Sequence, residues 1–456
     1  MSFALSEIGL NPSEVGQEMY RLISELYPIC RSITGEGVRQ TLRLVQRHIP
    51  LTIHEIPSGT KVFDWTVPKE WNIRDAYIKN ARGERIVDFN KSNLHVVGYS
   101  VPVKKKVSLQ ELKEHLFTLP DRPDWIPYRT SYYKESWGFC LSHRQWSNLR
   151  EEEYEVCIES SLEDGHLTYG ELYLQGETTD EVLISCHTCH PSLCNDNLSG
   201  IALATFLAKI LSPVRRRYSY RFLFIPGTIG SITWLCLNEA KVGQIKHGFV
   251  VTGVGDPGKS VYKKSRRGDA EIDRAFAHVL RHSGGDYEII DFFPYGYDER
   301  QYCSPGINLP VGCLMRTPHG TYPEYHTSAD DLEFVQPSYL ADSFAKALSA
   351  LHIVENNKTF RNLNPKCEPQ LGRRGLYEMI GGQQGARSRE MAMLWVLNLA
   401  DGRHTLLDIA DRSGLEFSFI KDTADLLVEH ALLKEIHPVA PVIGLETRET
   451  NDEKNH

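Results

Sequence analysis

The sequence predicts an α/β fold with a mostly parallel sheet flanked by helices, joined to two regions of different character. From residue 168 onwards, apolar strand-like runs alternate with helix-like segments, as in parallel sheets covered by helices. Residues 64–167 are instead rich in aromatic residues and proline, with short alternating runs typical of strands. Residues 373–440 contain three short amphipathic helices and then a strand, the order of a winged helix-turn-helix.

These changes in composition predict the domain organisation. Residues 1–63 and 168–365 are expected to form the α/β core, and residues 64–167 a β-rich domain inserted into it. Residues 373–440 form a winged-helix-like domain, and residues 441–456 a disordered tail. The alternative is that residues 64–167 are one lobe of a larger mixed sheet.

The expected elements follow from the periodicity of apolar residues and from the turn residues between them. Two helices within residues 14–49, separated by a break at residues 28–37, precede a strand at residues 51–56. The other predicted core strands are residues 170–174, 181–186, 220–225, 248–252 and 309–315. The other predicted core helices are residues 198–211, 231–239, 270–281 and 339–355. Outside the core we expect strands at residues 76–78, 94–97 and 432–436, and helices at residues 390–398, 406–413 and 417–430.

The overall composition is that of an ordinary globular protein. The chain has 456 residues, of which 41% are hydrophobic and 24% charged, and its net charge of -8 argues against general nucleic-acid binding. We expect no signal peptide and no membrane span, because the N-terminus lacks a basic region and Lys209 interrupts the longest apolar stretch. Ten scattered cysteines indicate reduced thiols and a cytoplasmic location.

Two histidines and an aspartate lie on a short loop between a predicted strand and a predicted helix. His187 ends the strand, His190 begins the loop, and Asp196 lies just before the helix. Open α/β sheets bind ligands at such strand ends, and imidazole nitrogens and carboxylate oxygens are ordinary zinc ligands. The sequence therefore predicts a metal site here, in which His187 and His190 compete for one ligand position.

The same loop permits a second interpretation as a thiolate zinc site, because Cys186, Cys189 and Cys194 lie within it. This interpretation is weak, since no second Cys-x-x-Cys pair follows downstream.

A third ligand is expected from a distant loop. His326 precedes a run of capping residues, 327–330. One histidine of the first loop, Asp196 and His326 would hold one zinc ion and leave a coordination position open to water, as hydrolytic zinc sites do. Asp330 is expected to orient a ligand.

Residues 253–260 match the phosphate-binding pattern G-x-x-x-x-G-K-[ST], which requires a helix that starts at the lysine. Residues 261–265 look like a strand or loop instead, and Pro257 removes one N–H group from the backbone that would hold the phosphate. Nucleotide binding is therefore the least favoured hypothesis.

Three segments resemble the zinc aminopeptidases of the bacterial leucyl aminopeptidase and glutaminyl cyclase group. They are residues 182–187, which end in the first metal histidine, residues 196–200, with the bridging aspartate, and residues 325–330, with the last metal histidine. Residues 297–299, with 305–310 after them, resemble the segment that precedes the last of these.

A closer resemblance is to a poorly characterised set of bacterial aminopeptidase-like proteins with an inserted small domain and a C-terminal winged helix. Residues 32–37, 189–192 and 323–327 carry it. The resemblance implies a zinc-exopeptidase (aminopeptidase-like) fold and a role in a polysaccharide or secondary-metabolite pathway.

The sequence departs from the aminopeptidase pattern in its carboxylates. Those enzymes carry a Glu-Glu pair after the second core strand, a general base followed by a metal ligand, whereas residues 226–231 contain no carboxylate. The aspartate ligand expected near Thr252 is also missing, and Asp256 comes a few residues late. We therefore expect one zinc ion rather than two.

Without that pair, another carboxylate must accept the proton from water. Glu324, two residues before His326, is the first candidate, and Glu299 or Asp298 is the second. Each of them would otherwise serve as an ion-pair partner or a helix cap.

The expected function is that of a mononuclear zinc-dependent hydrolase of an amide or peptide bond. Its substrate would be a peptide, an aminoacyl conjugate or an acylated small molecule. The alternative is a degenerate, non-catalytic peptidase fold that serves in binding or assembly. The last predicted helix carries four acidic residues against Lys421, which favours protein contact, including a homo-oligomer, over nucleic acid.

Overall fold

The computed structural model describes residues 11–376 and 384–436, and the chain divides into two compact units, residues 1–355 and 356–456. The expected tail, residues 441–456, lies outside the described residues. The limits expected for the core, the insertion and the winged-helix segment stay predictions, because this division does not test them.

The first unit contains the main sheet and the smaller sheets of the insertion. Its strands are β1 (Thr52–Pro57), β2 (Lys61–Val62), β3 (Trp65–Thr66), β4 (Glu70–Lys79), β5 (Arg85–Asp88), β6 (Val103–Ser108), β7 (Leu116–Phe117), β8 (Phe139–Cys140), β9 (Glu153–Glu163), β10 (His166–Leu174), β11 (Glu181–His187), β12 (Ser219–Ile225), β13 (Ile245–Val251), β14 (Ser260–Lys263), β15 (Tyr287–Ile290) and β16 (Val311–Met315). Its helices are α1 (Pro12–Leu26), α2 (Glu36–Val45), α3 (Leu109–Lys113), α4 (His143–Ser147), α5 (Gly200–Leu211), α6 (Ile229–Leu237), α7 (Glu239–Val242), α8 (Glu271–His282), α9 (Glu299–Tyr302) and α10 (Pro337–Asn356).

The main sheet has the strand order β1-β10-β12-β11-β13-β16-β14-β15. Strands β12, β11, β13 and β16 are parallel to one another, while β1 and β10 on one side and β14 on the other pair antiparallel. The central strands are buried along almost their whole length, which requires cover on both faces. The predicted α/β fold, a large sheet flanked by helices, is confirmed.

Two local predictions differ from the structure. The sequence predicts a strand at residues 94–97, but Asn93–His95 form a short 3-10 helix. The sequence left residues 261–265 open as a strand or loop, and the structure has strand β14 there. The sequence does not predict β15, a half-exposed edge strand without an alternating apolar pattern.

The insertion builds a four-stranded antiparallel sheet, β5-β4-β9-β6, and its buried side chains, among them Trp71 and Tyr154, belong to one hydrophobic cluster that continues into the main sheet through residues such as Leu183 and Leu223. Arg39 on α2 donates two hydrogen bonds of 2.7 Å to the carboxylate of Glu70, the first residue of β4. This bidentate ion pair ties the insertion to the N-terminal helices.

The second unit is a winged helix, as predicted. It comprises β17 (Thr359–Asn362), α11 (Gln384–Leu399), β18 (Asp401–Thr405), α12 (Leu406–Ser413), α13 (Phe417–Glu429) and β19 (Leu433–Ile436), with a small antiparallel sheet in the order β18-β17-β19. Thr405 and Asp408 form a capping box at the start of α12, and Gly414 ends that helix with a φ of 70°.

The topology fixes where a site can form. Strand β11 ends at His187, and its neighbours β12 and β13 run parallel to it. The loops that follow these three strands therefore meet at one edge of the sheet, the usual ligand-binding edge of such folds. In the described ranges, none of the helices combines the length and apolar character needed to cross a bilayer.

Candidate metal centre

Asp196 lies at the centre of a cluster of aromatic and imidazole side chains. Its Oδ1 is 2.8 Å from Nε2 of His187, and its Oδ2 is 3.0 Å from Nε2 of His326 and 3.9 Å from Nε2 of His190. The hydroxyl of Tyr297 donates a hydrogen bond of 2.6 Å to the same Oδ2. The structure thus brings together all four residues that the sequence nominated as metal ligands.

The spacing of these atoms suits a zinc ion. Two ligand atoms about 2.0–2.1 Å from a tetrahedral zinc are about 3.3 Å apart, a value that the three distances to Asp196 bracket. Nε2 of His326 is inaccessible to solvent, and no described group forms a well-aligned hydrogen bond with it. His187, His190 and Asp196 are buried and have ligand atoms within 4.8 Å of one another. The residues present therefore fit a metal ion.

The electrostatics of the cluster favour the metal-binding forms of its members. Burial lowers the pKa of His190 well below its usual value, so its ring is neutral, as a metal ligand must be. Burial alone would raise the pKa of Asp196, but His190, His187 and His326 outweigh this effect and hold it well below its usual value. Asp196 therefore stays an anion.

Asp330 holds the backbone of the loop between β11 and α5 that carries His190 and Asp196, called the metal loop below. Its two carboxylate oxygens accept hydrogen bonds from the N–H groups of Asn195, at 2.5 Å, and Asp196, at 3.0 Å. Its own carbonyl accepts a bond of 3.0 Å from the N–H of Cys194. Asp330 thus fixes the backbone of Asp196. The sequence predicted that Asp330 orients a metal ligand but did not say which one.

The glycine-rich segment 253–258 supports the same loop and does not form a phosphate nest. The N–H groups of Gly253 and Gly255 donate to the side-chain carbonyls of Asn197, at 3.3 Å, and Asn195, at 2.9 Å. Strand β14 follows this segment, and the next helix, α8, begins only at Glu271. The amides of Gly253 and Gly255 are therefore engaged with the loop that carries Asp196, and the amide of Gly258 with Asp256, so they do not form a free phosphate nest.

Asp256, considered as a late substitute for a missing metal ligand, also supports the loop. It accepts hydrogen bonds from Nδ2 of Asn195, at 3.0 Å, and from the hydroxyl of Thr317, at 2.6 Å.

His326 is held by the insertion. Its φ of 55° lies in the left-handed region, which costs about 1 kcal/mol or more for a residue other than glycine. The N–H of Tyr128 donates to the carbonyl of His326 at 2.8 Å, and Pro127 forms an isolated bridge with Thr327. The ring of Tyr325 stacks on the imidazole at 3.9 Å. The contacts from the insertion hold the backbone that presents this histidine.

The three carboxylates proposed as a general base occupy different environments. Asp298 is fully buried: its Oδ1 accepts a 2.7 Å bond from the hydroxyl of Ser231, its Oδ2 has no hydrogen-bond partner among the described residues, and burial raises its pKa to about 6. A methyl group added at Gly227 would lie 3.6 Å from both of its oxygens and 3.1 Å from Cβ of His187. Asp298 therefore lies behind the very turn where aminopeptidases carry their Glu-Glu pair.

Glu299 is paired through its carboxylate, whereas the bonds of Glu324 go to its backbone. Glu299 forms an ion pair of 2.5 Å with Nζ of Lys263, and both side chains are fully buried. Glu324 is half-buried, and it is its backbone carbonyl that accepts bonds from the N–H and hydroxyl of Thr327, at 3.0 and 2.8 Å.

The thiols of the loop are not arranged as metal ligands. The Sγ of Cys189 points at the carbonyl of Gly227, 3.6 Å away, and burial raises its pKa to about 12. Burial also raises the pKa of Cys186 and Cys194 well above the usual value, so these thiols stay protonated.

Sequence reasoning missed two residues that shape the centre. The hydroxyl of Tyr297 bonds Asp196 and lies 2.7 Å from the hydroxyl of Tyr325, yet the resemblance of residues 297–299 gave this tyrosine no role. Arg31 is buried, and its guanidinium donates bonds of 2.7 Å to the carbonyls of His190 and Pro191. No signal distinguished it, because an arginine in a turn is usually solvated.

A cavity of about 300 Å³ opens beside the centre, with His190, Tyr297 and Tyr325 in its wall. Its other aromatic walls come from the insertion, through Trp65, Tyr132 and Tyr133, and from Tyr295. The centre therefore faces a space of small-molecule size.

The sheet topology, together with a His- and Asp-bearing loop after its central strand, defines the class: this is the fold of the zinc aminopeptidases. The zinc aminopeptidase BSAP from Bacillus subtilis aligns with a TM-score of 0.54 at 12% identity, over 74% of this chain and 94% of that chain. A peptidase M28 precursor from Shewanella amazonensis aligns with a TM-score of 0.53 at 13% identity, over 76% and 96%. At such identities the likeness shows the fold.

The family is narrower than this class. Residues 20–357 match the model of a domain of unknown function (DUF4910), and residues 358–435 match a winged helix-turn-helix. The chain belongs to the DUF4910 family, and the predicted resemblance is confirmed.

A relative from Clostridium acetobutylicum is 58% identical over 424 residues, 93% of this chain and 98% of that protein. It is provisionally named a polysaccharide biosynthesis protein with an aminopeptidase-like domain. A crystal structure of a presumed peptidase from that organism has a TM-score of 0.90 at 56% identity, over 94% of this chain and 99% of that chain.

Proposed function

We propose that this protein is a zinc-dependent hydrolase of an amide or peptide bond, with one zinc ion held by Asp196, His326 and one or both of His187 and His190. The observation that carries the proposal is the convergence of three imidazoles on the two oxygens of one buried carboxylate, within a zinc-peptidase fold. One ion rather than two is supported by the absence of a carboxylate in residues 226–231 and by the engagement of Asp256 with Asn195.

The side chains around the centre have separate roles in this proposal. A zinc ion bound here supplies Lewis-acid chemistry, since it polarises a carbonyl group and lowers the pKa of water. Asp298 is the general base and accepts a proton at Oδ2, the oxygen that no described residue bonds. Asp330 keeps Asp196 in place through the backbone, and Tyr297 orients the Asp196 carboxylate.

The substrate of the proposed reaction is a peptide, an aminoacyl conjugate or an acylated small molecule, and the cavity volume of about 300 Å³ supports a small group at the reaction centre. The name of the C. acetobutylicum relative supports a place in polysaccharide biosynthesis. Ten free cysteines support a reducing, cytoplasmic location.

The test of the metal is its content in the purified full-length chain. We expect about one zinc per chain, loss of amide hydrolysis after removal of the zinc by a chelator, and recovery when zinc is added back. Protein that contains no zinc in any preparation and gains none by titration would remove the proposal.

For the winged helix we propose a role in protein contact, including self-association, rather than DNA binding. On α13, Lys421 is mostly buried and pairs with Asp425 at 3.0 Å and Asp422 at 3.4 Å, so the basic group is neutralised. Phosphate contacts require accessible cations on the reading helix.

In a gel-shift assay at low salt, we expect the full chain not to retard a random-sequence DNA duplex. In sedimentation, we expect the chain to self-associate and an Asp422→Arg/Asp425→Arg variant to do so more weakly. Salt-sensitive DNA binding by the wild-type chain would contradict this role.

A further inference from the structure

The cavity beside the metal centre has an unusual charge. Of its lining residues, all of which the structure describes, Arg300 carries a positive charge, and none is an aspartate or glutamate. A ligand in this cavity therefore meets hydrogen-bond donors and a cation, but no carboxylate acceptor.

No hydrogen bond or ion pair from a described residue engages Arg300, whose charge acts only at longer range on the buried carboxyl of Asp298. The Arg300 side chain is half-buried, and its Nε is inaccessible to solvent. The buried Arg221, in contrast, pairs with Glu181 at 2.7 Å. A partly buried guanidinium usually has an acceptor for the N–H groups that water cannot reach, because leaving them unsatisfied is costly, so the missing acceptor is expected to be a ligand.

His319 adds a second unengaged donor to the same wall. Both of its ring nitrogens are inaccessible to solvent, and neither bonds any described residue. The ring is packed against Tyr297, at 5.0 Å between centroids, and Tyr295, at 5.7 Å. Its nitrogens are thus held in position without a protein acceptor, and buried polar groups seldom stay unsatisfied.

This lining is wrong for a substrate with a free α-ammonium group. An ammonium held beside the scissile bond needs carboxylate acceptors, and here it would face the charge of Arg300 instead. A carboxylate or phosphate oxyanion suits the same wall, because the planar guanidinium can bind it through two parallel hydrogen bonds.

We infer that the substrate is an amide that carries an oxyanion, a carboxylate or a phosphate, which Arg300 and His319 bind, and that it has no free ammonium beside the scissile bond. Cleavage of the amide rests on the proposed function, whereas recognition of the anion rests on the cavity alone. The exposed rings of Trp65, Tyr133 and Tyr295 form apolar walls at the mouth for the remainder of the molecule.

The test is calorimetric titration of the zinc-loaded full chain with four probes. N-acetylphenylalanine and N-acetylglucosamine 1-phosphate carry the carboxylate and the phosphate, N-acetylphenylalanine amide is neutral, and phenylalanine amide carries the ammonium. We expect at least one anionic probe to bind about tenfold more tightly than the neutral and ammonium probes. Which of the two does so identifies the oxyanion.

Substitutions at Arg300 test whether this residue binds the anion. Arg300→Ala is expected to remove the preference, and Arg300→Lys to restore part of it. Arg82→Ala, at an arginine that is 73% exposed and paired with Glu84 on the insertion, is the matched control and keeps it. Thermal melts report whether each variant is folded.

Three binding results would overturn the inference: tighter binding of phenylalanine amide, equal affinities for all four probes, or failure of both anionic probes to bind. An anion preference that survives at full strength in folded Arg300→Ala protein would also overturn it, since the anion would then sit on the metal. Absence of zinc in every preparation overturns the proposed hydrolase instead. The titrations of the metal-free chain then still decide whether Arg300 selects anions.

Discussion

Replacement of Asp196 by asparagine is expected to abolish zinc binding. The new side chain would keep the shape of the old one but lose the negative charge that faces His187 and His326 at 2.8 and 3.0 Å. Because Asp196 is the shared partner of all three histidines, its loss removes the anionic ligand of the site. Zinc content measured by atomic emission should fall from about one per chain to none.

The matched control is Asp124→Asn, because Asp124 is 60% exposed and pairs with the exposed Arg144 in the insertion. His326→Ala should lose zinc as Asp196→Asn does. His187→Ala and His190→Ala compare the two histidines of the loop, and the one whose loss empties the site is the ligand. Full zinc occupancy in a folded Asp196→Asn protein would show that the metal binds elsewhere.

Replacement of Asp298 by asparagine is expected to stop amide hydrolysis while zinc stays bound. The amide oxygen of the new side chain can still accept the hydrogen bond from Ser231, but the amide group cannot accept a proton in place of the second carboxylate oxygen. General bases contribute about 10²- to 10⁴-fold to a rate, so kcat should fall by about that factor. The measurements are initial rates of amide hydrolysis and zinc content for the same preparations.

The neighbouring carboxylates provide the comparison. Glu299→Gln should lower the stability by about 3–5 kcal/mol, because it leaves the fully buried Lys263 without its partner. Glu324→Gln should leave both rate and stability nearly unchanged, since the Glu324 contacts come from its backbone. A loss of rate confined to Glu324→Gln, with zinc and stability intact, would transfer the role of base from Asp298 to Glu324.

The centre shows why part of the site was predictable. His187, His190 and Asp196 lie within ten residues on one loop between an apolar strand and an apolar helix, so local patterns were enough to nominate them. His326 was nominated through the motif around it. The backbone geometry that presents it depends on Tyr128, almost 200 residues earlier, which no local pattern reveals.

The proposed general base shows where sequence reasoning stops. Sequence could note that residues 226–231 lack a carboxylate, but it ranked Glu324 above Asp298 because Glu324 is closer to His326 along the chain. In the fold, Asp298 lies behind Gly227, where the absence of a side chain leaves its oxygens 3.6 Å from the missing Cβ. The proposal of Asp298 therefore rests on proximity in space, which the sequence does not show.

The sequence by itself determined the α/β class, the winged helix and the loop residues that are candidate zinc ligands, because these depend on apolar periodicity and on side-chain chemistry over short spans. The tertiary structure decided what surrounds the three histidines: Asp298 behind the turn, the amides of Gly253 and Gly255 bonded to the loop, and Arg300 in the cavity wall without a hydrogen bond to a described residue. Those arrangements result from packing between elements that are far apart in the chain, where loop closure, burial and hydrogen-bond satisfaction act together.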